Sequence, residues 1–201
     1  MKKGFFLLAL ALALALGGCV NIGEKSASPA VTYYVLDDPV TVAGSAVPAA
    51  APTLLVPDTA SNGFYDSDQL VFSRSPDTRG QYQFARWTER PGRRFAALMR
   101  ARLERQGVWQ VSASGAYVRG DLLLDTKLIE FYHDAASKPG QVRLVLRAEL
   151  VDLKLRTSLG RRVFEQQVPV ATYDAAAAAQ ASSVAVGRTL DELGAWLAAR
   201  P

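Results

Sequence analysis

The side chains that could carry chemistry are few. Cys19 is the only cysteine and His133 the only histidine in the 201 residues. A Ser-His-Asp site would have to use His133, with Asp125 or Asp134 to orient it, but no Gly-x-Ser-x-Gly elbow supplies a nucleophile. His133 falls at the end of a strand-like run, where a solvated turn histidine is the expected reading. One imidazole cannot build the usual zinc site. Asp66-Ser67-Asp68 begins like a calcium loop, yet Leu70 stands where a further oxygen ligand is needed. No glycine-rich phosphate loop is present, so ATP hydrolysis would fall to a partner. Neither a metal nor a cofactor is expected. What remains is cationic: Arg86, Arg90, Arg93, Arg94, Arg100, Arg102 and Arg105, relieved only by Glu89 and Glu104. Guanidinium forks bind carboxylates and phosphates, so this segment could meet an acidic partner surface or anionic headgroups. A solvated helix face is the plainer alternative, since arginine stems also cover apolar surface. Trp87, Trp109 and Trp196 read as core, although a tryptophan at a rim would anchor an interface.

The amino terminus decides where such a surface would work. Lys2 and Lys3 precede an unbroken run of Phe, Leu and Ala from Phe5 to Leu16, which closes with Gly17-Gly18-Cys19. A charged start, an apolar middle and a small-residue end mark an export signal. The run is about twelve residues long, short of the roughly twenty that cross a bilayer. Leu16-Gly17-Gly18-Cys19 resembles the lipobox of bacterial lipoproteins. That resemblance implies acylation of the Cys19 thiol and cleavage before it, leaving residues 1–18 as signal. It also explains a lone thiol in an exported chain, which has no partner for a disulfide. Each buried acyl methylene contributes about 0.8 kcal/mol, so the multi-chain lipoprotein anchor would hold the protein almost permanently. By the same resemblance, Val20 in place of an aspartate points to forwarding to the outer membrane, with the domain facing the periplasm.

Removing Lys2 and Lys3 from 23 basic residues leaves 21 against 19 acidic ones, a balance of +2. With the export signal, so small an excess speaks against nucleic-acid binding. The length after Cys19 suits one domain whose core needs no disulfide.

Residues 19–31 are small and polar and read as a lipidated tether, and 32–200 as the domain. Thr32 to Leu36 is aromatic and β-branched, a first strand. Residues 40–52 lack periodicity and read as a flexible loop within the domain. Short strands are expected at Thr53 to Val56 and Gln69 to Ser73, and a half-buried one at Gln81 to Trp87. Pro91 to Gln106 predicts a helix, with proline tolerated in the first turn, one face carrying Phe95, Leu98, Met99 and Leu103, and Gly107 as its stop. Strand runs at Asp121 to His133, Gln141 to Thr157 and Arg161 to Val168 are separated by turn sequences, including Ser158-Leu159-Gly160. They should pair as an antiparallel meander. In the middle run the apolar phase slips near Leu150, as a β-bulge or a change of buried face would require. Asp174 caps an alanine-rich helix to about Ala199, striped by Val186, Leu190, Leu193 and Leu197. The expected fold is α+β, a mostly antiparallel sheet with two helices packed on one face.

Several segments in order resemble the ABC-type transport auxiliary lipoprotein family. They are the lipobox, Tyr33-Tyr34-Val35-Leu36, Gln69 to Arg74, Ala85 to Pro91, Leu128 to Phe131 and Trp196-Leu197. The resemblance implies a non-enzymatic, lipid-anchored subunit that works with an ABC permease and ATPase complex and an MCE-domain protein in envelope lipid transport, docking or capping the assembly at the outer membrane. Arg86, Trp87, Arg93 and Arg94 are the candidate partner contacts. A lipid-binding carrier with an acyl chain in an internal cavity is the second reading, and self-association stays open.

Overall fold

The computed structural model describes residues 29–40, 43–113 and 118–200. The chain divides into Met1–Ala30 and Val31–Pro201. The signal, Cys19 and most of the tether lie outside the described residues.

In chain order the domain contains β1 (Thr32–Tyr34), β2 (Thr53–Leu55), β3 (Ala60–Ser61), β4 (Gln69–Ser73), β5 (Gly80–Trp87), α1 (Pro91–Arg105), β6 (Gln110–Ser112), β7 (Leu122–Asp134), β8 (Gln141–Asp152), β9 (Thr157–Pro169) and α2 (Ala175–Ala198). The strands join in one sheet. The long pairings, β7 with β8 and β8 with β9, are antiparallel, as is β4 with β5. The architecture is therefore the expected α+β one, with one addition. β2, β3 and β4 run in succession along the other side of β7, all parallel to it, while β6 joins β2 and β1 joins β5 in parallel. Strands of two to five residues carry too few alternations to announce their neighbours, so this parallel fringe is invisible to periodicity.

Both helices cover one face. α1 buries Phe95, Leu98, Met99 and Leu103, each worth about 1.5–3 kcal/mol when fully withdrawn from water. It ends where expected. Gly107 takes φ +71°, and a Cβ there would sit 2.6 Å from the Ser45 Cβ. That close approach is part of how the loop is held. Ser45 donates its N–H to the Arg105 carbonyl at 3.0 Å, and Gln110 Nε2 donates to the Ala49 carbonyl at 2.8 Å. The described part of the 40–52 loop is thus pinned to α1 and β6.

α2 lies against β8 and β9. Its stripe residues Val186, Leu190, Leu193 and Leu197 are all buried, and alanines at 178, 181 and 185 let the helix approach the sheet closely. Asp174 caps it as predicted, accepting the Ala177 N–H at 2.8 Å. That bond, with a second from the Thr172 hydroxyl, holds the Asp174 carboxyl below its usual 3.8. A depressed pKa stabilises the fold above the unfolded value and loses that contribution as pH falls. Asp174→Asn keeps a good cap but removes the titration. Its unfolding curve should match the parent at neutral pH and fall less steeply below pH 3.8, as read by circular dichroism melts across an acid series.

Two irregularities set which side chains face the helices. In β7, Leu122, Leu124, Thr126 and Leu128 point inward, and then Phe131 and His133 do. The register jumps from Leu128 opposite Leu146 to Glu130 opposite Val145, so Ile129 is a bulge residue that inverts the phase. The slip anticipated near Leu150 coincides with a register shift between Leu150 and Val151, whose extra residue lies in β9 rather than β8. β8 ends at Asp152, and Leu153 to Arg156 form the turn, with the Asp152 carboxylate accepting the Lys154 and Leu155 N–H groups at 2.8 and 2.7 Å. Ser158-Leu159-Gly160, expected as the turn, belongs to β9, where Leu159 is passed over between the Leu150–Gly160 and Val151–Ser158 pairs. Apolar Leu153 and Leu155 disguised a turn built by one aspartate side chain.

Candidate functional site

β5 and the first turns of α1 place the four candidate contact residues, and they have different fates. Trp87 points inward. It is 3% exposed and stacks on Phe131 with ring centroids 5.8 Å apart. This corrects its assignment as a contact residue, because strand alternation sends Arg86 and Trp87 to opposite faces of β5. Arg86 is half-buried and reaches Asp68 at 3.2 Å. Arg94 acts as a clip: Nε donates to the Leu36 carbonyl at 2.7 Å and Nη2 to Asp37 at 3.3 Å. Arg93 is exposed and makes no ion pair among the described residues. Of the four, it alone presents a free cation.

The other arginines are not a uniform solvated face either. Arg90 pairs with Asp66, and Arg100 donates to the Val56 carbonyl at 2.9 Å. Arg102 is the extreme case, 1% exposed and fully inside. Its Nε and Nη2 grip the two oxygens of Asp38 at 2.8 and 2.6 Å, and Nη1 bonds Asp191 of α2. Burial opposes its charge, but these two carboxylates outweigh burial and hold the guanidinium above its ordinary pKa. The network ties the segment after β1 to both helices.

The sheet edge carries a feature that the sequence reading missed. Val31, Tyr33 and Val35 alternate along β1 and its flanks and are 39%, 60% and 58% exposed. Tyr33 lies beside Arg86 in register, and Phe84, 39% exposed, is two residues before Arg86 on the same face. The even-numbered Tyr34 and Leu36 pack inward instead. The run Val31-Thr32-Tyr33-Tyr34-Val35-Leu36 is apolar on both faces. In an edge strand that pattern signals one face left over for a partner. The candidate contact surface is therefore Arg86 and Arg93 together with the Val31, Tyr33, Val35 and Phe84 stripe.

His133 is not solvated. It is 2% exposed. Nε2 lies 2.8 Å from the Pro139 carbonyl and Nδ1 2.7 Å from the Tyr82 hydroxyl. A carbonyl only accepts, so Nε2 carries a proton, and in the neutral ring Nδ1 accepts from Tyr82. Burial first, then the neighbouring Tyr173 and Asp174, push the Tyr82 hydroxyl up to about 12. With both nitrogens committed, His133 fastens the β7–β8 turn to β5. Gly140 makes room for this, at φ +87°, where a Cβ would meet the Asp134 carbonyl at 2.1 Å. Asp66 and Asp68 of the calcium-like triplet are spent on Arg90 and Arg86. Among the described residues there is no cluster of three metal-ligating side chains, and no helix is long and apolar enough to cross a membrane.

The family model for the ABC-type transport auxiliary lipoprotein component matches residues 34–194. The chain belongs to this family. As a family member it is an auxiliary component of an ABC-type transporter and an envelope lipoprotein. The match takes in Arg86, Arg93, the buried stripe of α1, the α2 stripe as far as Leu193, and the Asp38–Arg102–Asp191 network. The fold is similar to that of a crystallised Xanthomonas campestris protein assigned to the DUF330 family, with TM-score 0.74 and 23% identity over 83% of this chain and 94% of that one. A second crystallised, uncharacterised protein matches with TM-score 0.63 and 12% identity, covering 79% of this chain and 99% of that one. No curated protein matches the chain significantly.

Proposed function

We propose that this auxiliary lipoprotein is anchored through acylated Cys19 in the outer membrane, faces the periplasm, and docks or caps an MCE-type lipid-transport assembly driven by an ABC permease and ATPase. It contributes contact and position, and the partner supplies the energy. The observation that carries this reading is the family match across nearly the whole folded domain, joined to a lipobox ending at the chain's single cysteine. The contact face is the β1 edge with Arg86 and Arg93. Aromatic and arginine side chains are the types enriched at the energetic centre of interfaces. An acyl chain held inside the domain is less well supported, since the space among Leu70, Trp87, Phe131 and α2 is only about 10 Å³.

Two full-length variants test the reading separately. Cys19→Ser should abolish incorporation of labelled palmitate and release the protein from outer-membrane fractions; retention there would overturn the anchor. Arg93→Glu combined with Tyr33→Ser changes only exposed positions, so the melting temperature should stay within about 4 °C, as surface substitutions usually cost under about 0.5 kcal/mol each. Co-purification with the MCE-domain protein should drop at least about tenfold, the scale of a modest hot spot. Undiminished recovery would remove this edge from the interface.

A further inference from the structure

Where β6, the start of β7, the end of β8 and the end of α2 meet, the surface opens into a cleft of about 550 Å³. That is within the usual range for small-ligand sites, about 300–1,000 Å³. Its floor is the buried trio Trp109, Leu122 and Leu197, and Pro52, Val108 and Ala198 complete an apolar wall. The charged groups at the mouth are not equivalent. Asp121 accepts the Thr53 N–H at 2.8 Å, and Asp152 accepts two backbone N–H groups in the Leu153–Arg156 turn. Both carboxylates are partly satisfied by the fold. Arg200 stacks on Trp196 at 4.4 Å and donates Nη1 to the Leu159 carbonyl at 3.2 Å, leaving Nε buried without a partner. Lys154 lines the mouth, and Arg119 lies with it in an adjoining hollow of about 440 Å³. Neither makes an ion pair among the described residues.

An apolar floor with one uncommitted cation, Lys154, at its entrance suits one kind of molecule. We infer that this cleft binds a single-chain amphiphile with an anionic head, its chain laid over Trp109 and Leu197 and its carboxylate or phosphate held at Lys154. The concave shape and modest volume fit one acyl chain better than a protein surface, and Lys154, the one entrance charge not engaged by the fold, selects the head. The site is separate from the β1 edge and stands whether or not that edge docks a partner.

Trp109 supplies the readout. Full-length protein in nanodiscs of fixed composition is titrated with dibrominated stearate, whose bromines quench tryptophan at contact, and in parallel with a dibrominated alkyl trimethylammonium of equal chain length. Saturable quenching by the stearate probe alone is expected, lost in Trp109→Phe. It should be weakened at least tenfold in Lys154→Glu and in Val108→Glu, which adds a like charge at a position 48% exposed. Lysophosphatidate should compete, which would extend the site from carboxylate to phosphate heads; failure to compete restricts it to carboxylates. Equal quenching by the cationic probe, quenching indifferent to Lys154→Glu and Val108→Glu at unchanged melting temperature, or no saturable quenching would each overturn the assignment. Because none of these readouts involves a transport partner, failure here leaves the docking role untouched.

Discussion

Arg102→Leu is expected to destabilise the domain by about 3–5 kcal/mol, the cost of removing one partner from a buried ion pair. The reason is what stays behind. Asp38, whose side chain is 3% exposed, would keep only the Val40 N–H at 3.1 Å and Arg105 at 3.9 Å. A carboxylate so poorly compensated at that depth is costly to keep charged. For a domain of this size each kcal/mol moves the midpoint by about 2–4 °C, so a fall of roughly 6–20 °C is expected in a thermal melt. The double replacement Asp38→Leu, Arg102→Leu removes both buried charges and should recover much of the loss, because buried pairs are often no better than well-packed apolar residues. If Arg102→Leu alone shifts the midpoint by under about 3 °C, below what a lost buried partner costs, the network is ornamental. If the double variant is no better than the single one, the cost lies in packing rather than charge.

Trp87→Ala is expected to cost about 3–5 kcal/mol, the range for truncating a large buried aromatic. The ring stacks on Phe131, is 3% exposed, and already borders a void of about 10 Å³ beside Leu70, Ala178 and Ser182. Deleting it joins that void to a much larger one directly beneath α2. The outcome also separates two roles. A core tryptophan loses stability in the isolated lipoprotein, whereas an interface anchor would lose partner recovery with the melt unchanged. Denaturant unfolding of the purified full-length variant distinguishes them, and an unaltered midpoint would place Trp87 back at the surface.

The two substitutions bear on how the contact face should be drawn. Arginine in α1 serves three uses within four turns. Arg102 is a buried tie, Arg94 and Arg100 clip the preceding strands through backbone carbonyls, and Arg93 is left for solvent or a partner. A charge-reversal scan of the whole segment would therefore mix unfolding with lost recognition. Tyr33, Phe84 and Arg93 can be altered without touching these ties.

Much of the fold was readable one segment at a time. Pro91 and Gly107 bracket α1, Asp174 opens α2, and the inward residues of β8 alternate as Val142, Leu144, Leu146, Ala148 and Leu150. Each of these depends on residues a few positions apart, since a cap, a stop and a period are local properties. The proposed export signal and its closing Cys19 rest on the same kind of local patterning. Tertiary structure alone decided which arginines are spent: Arg102 meets Asp38 across 64 residues and Asp191 across 89. It also decided that His133 is locked between Tyr82 and Pro139, that Ile129 inverts the face of β7, and that Tyr33 is left exposed at a sheet edge. A charge, a ring or an apolar strand face is neutral as to partner until the chain brings distant segments within hydrogen-bonding or packing range, and that distance is nowhere encoded in spacing along the sequence.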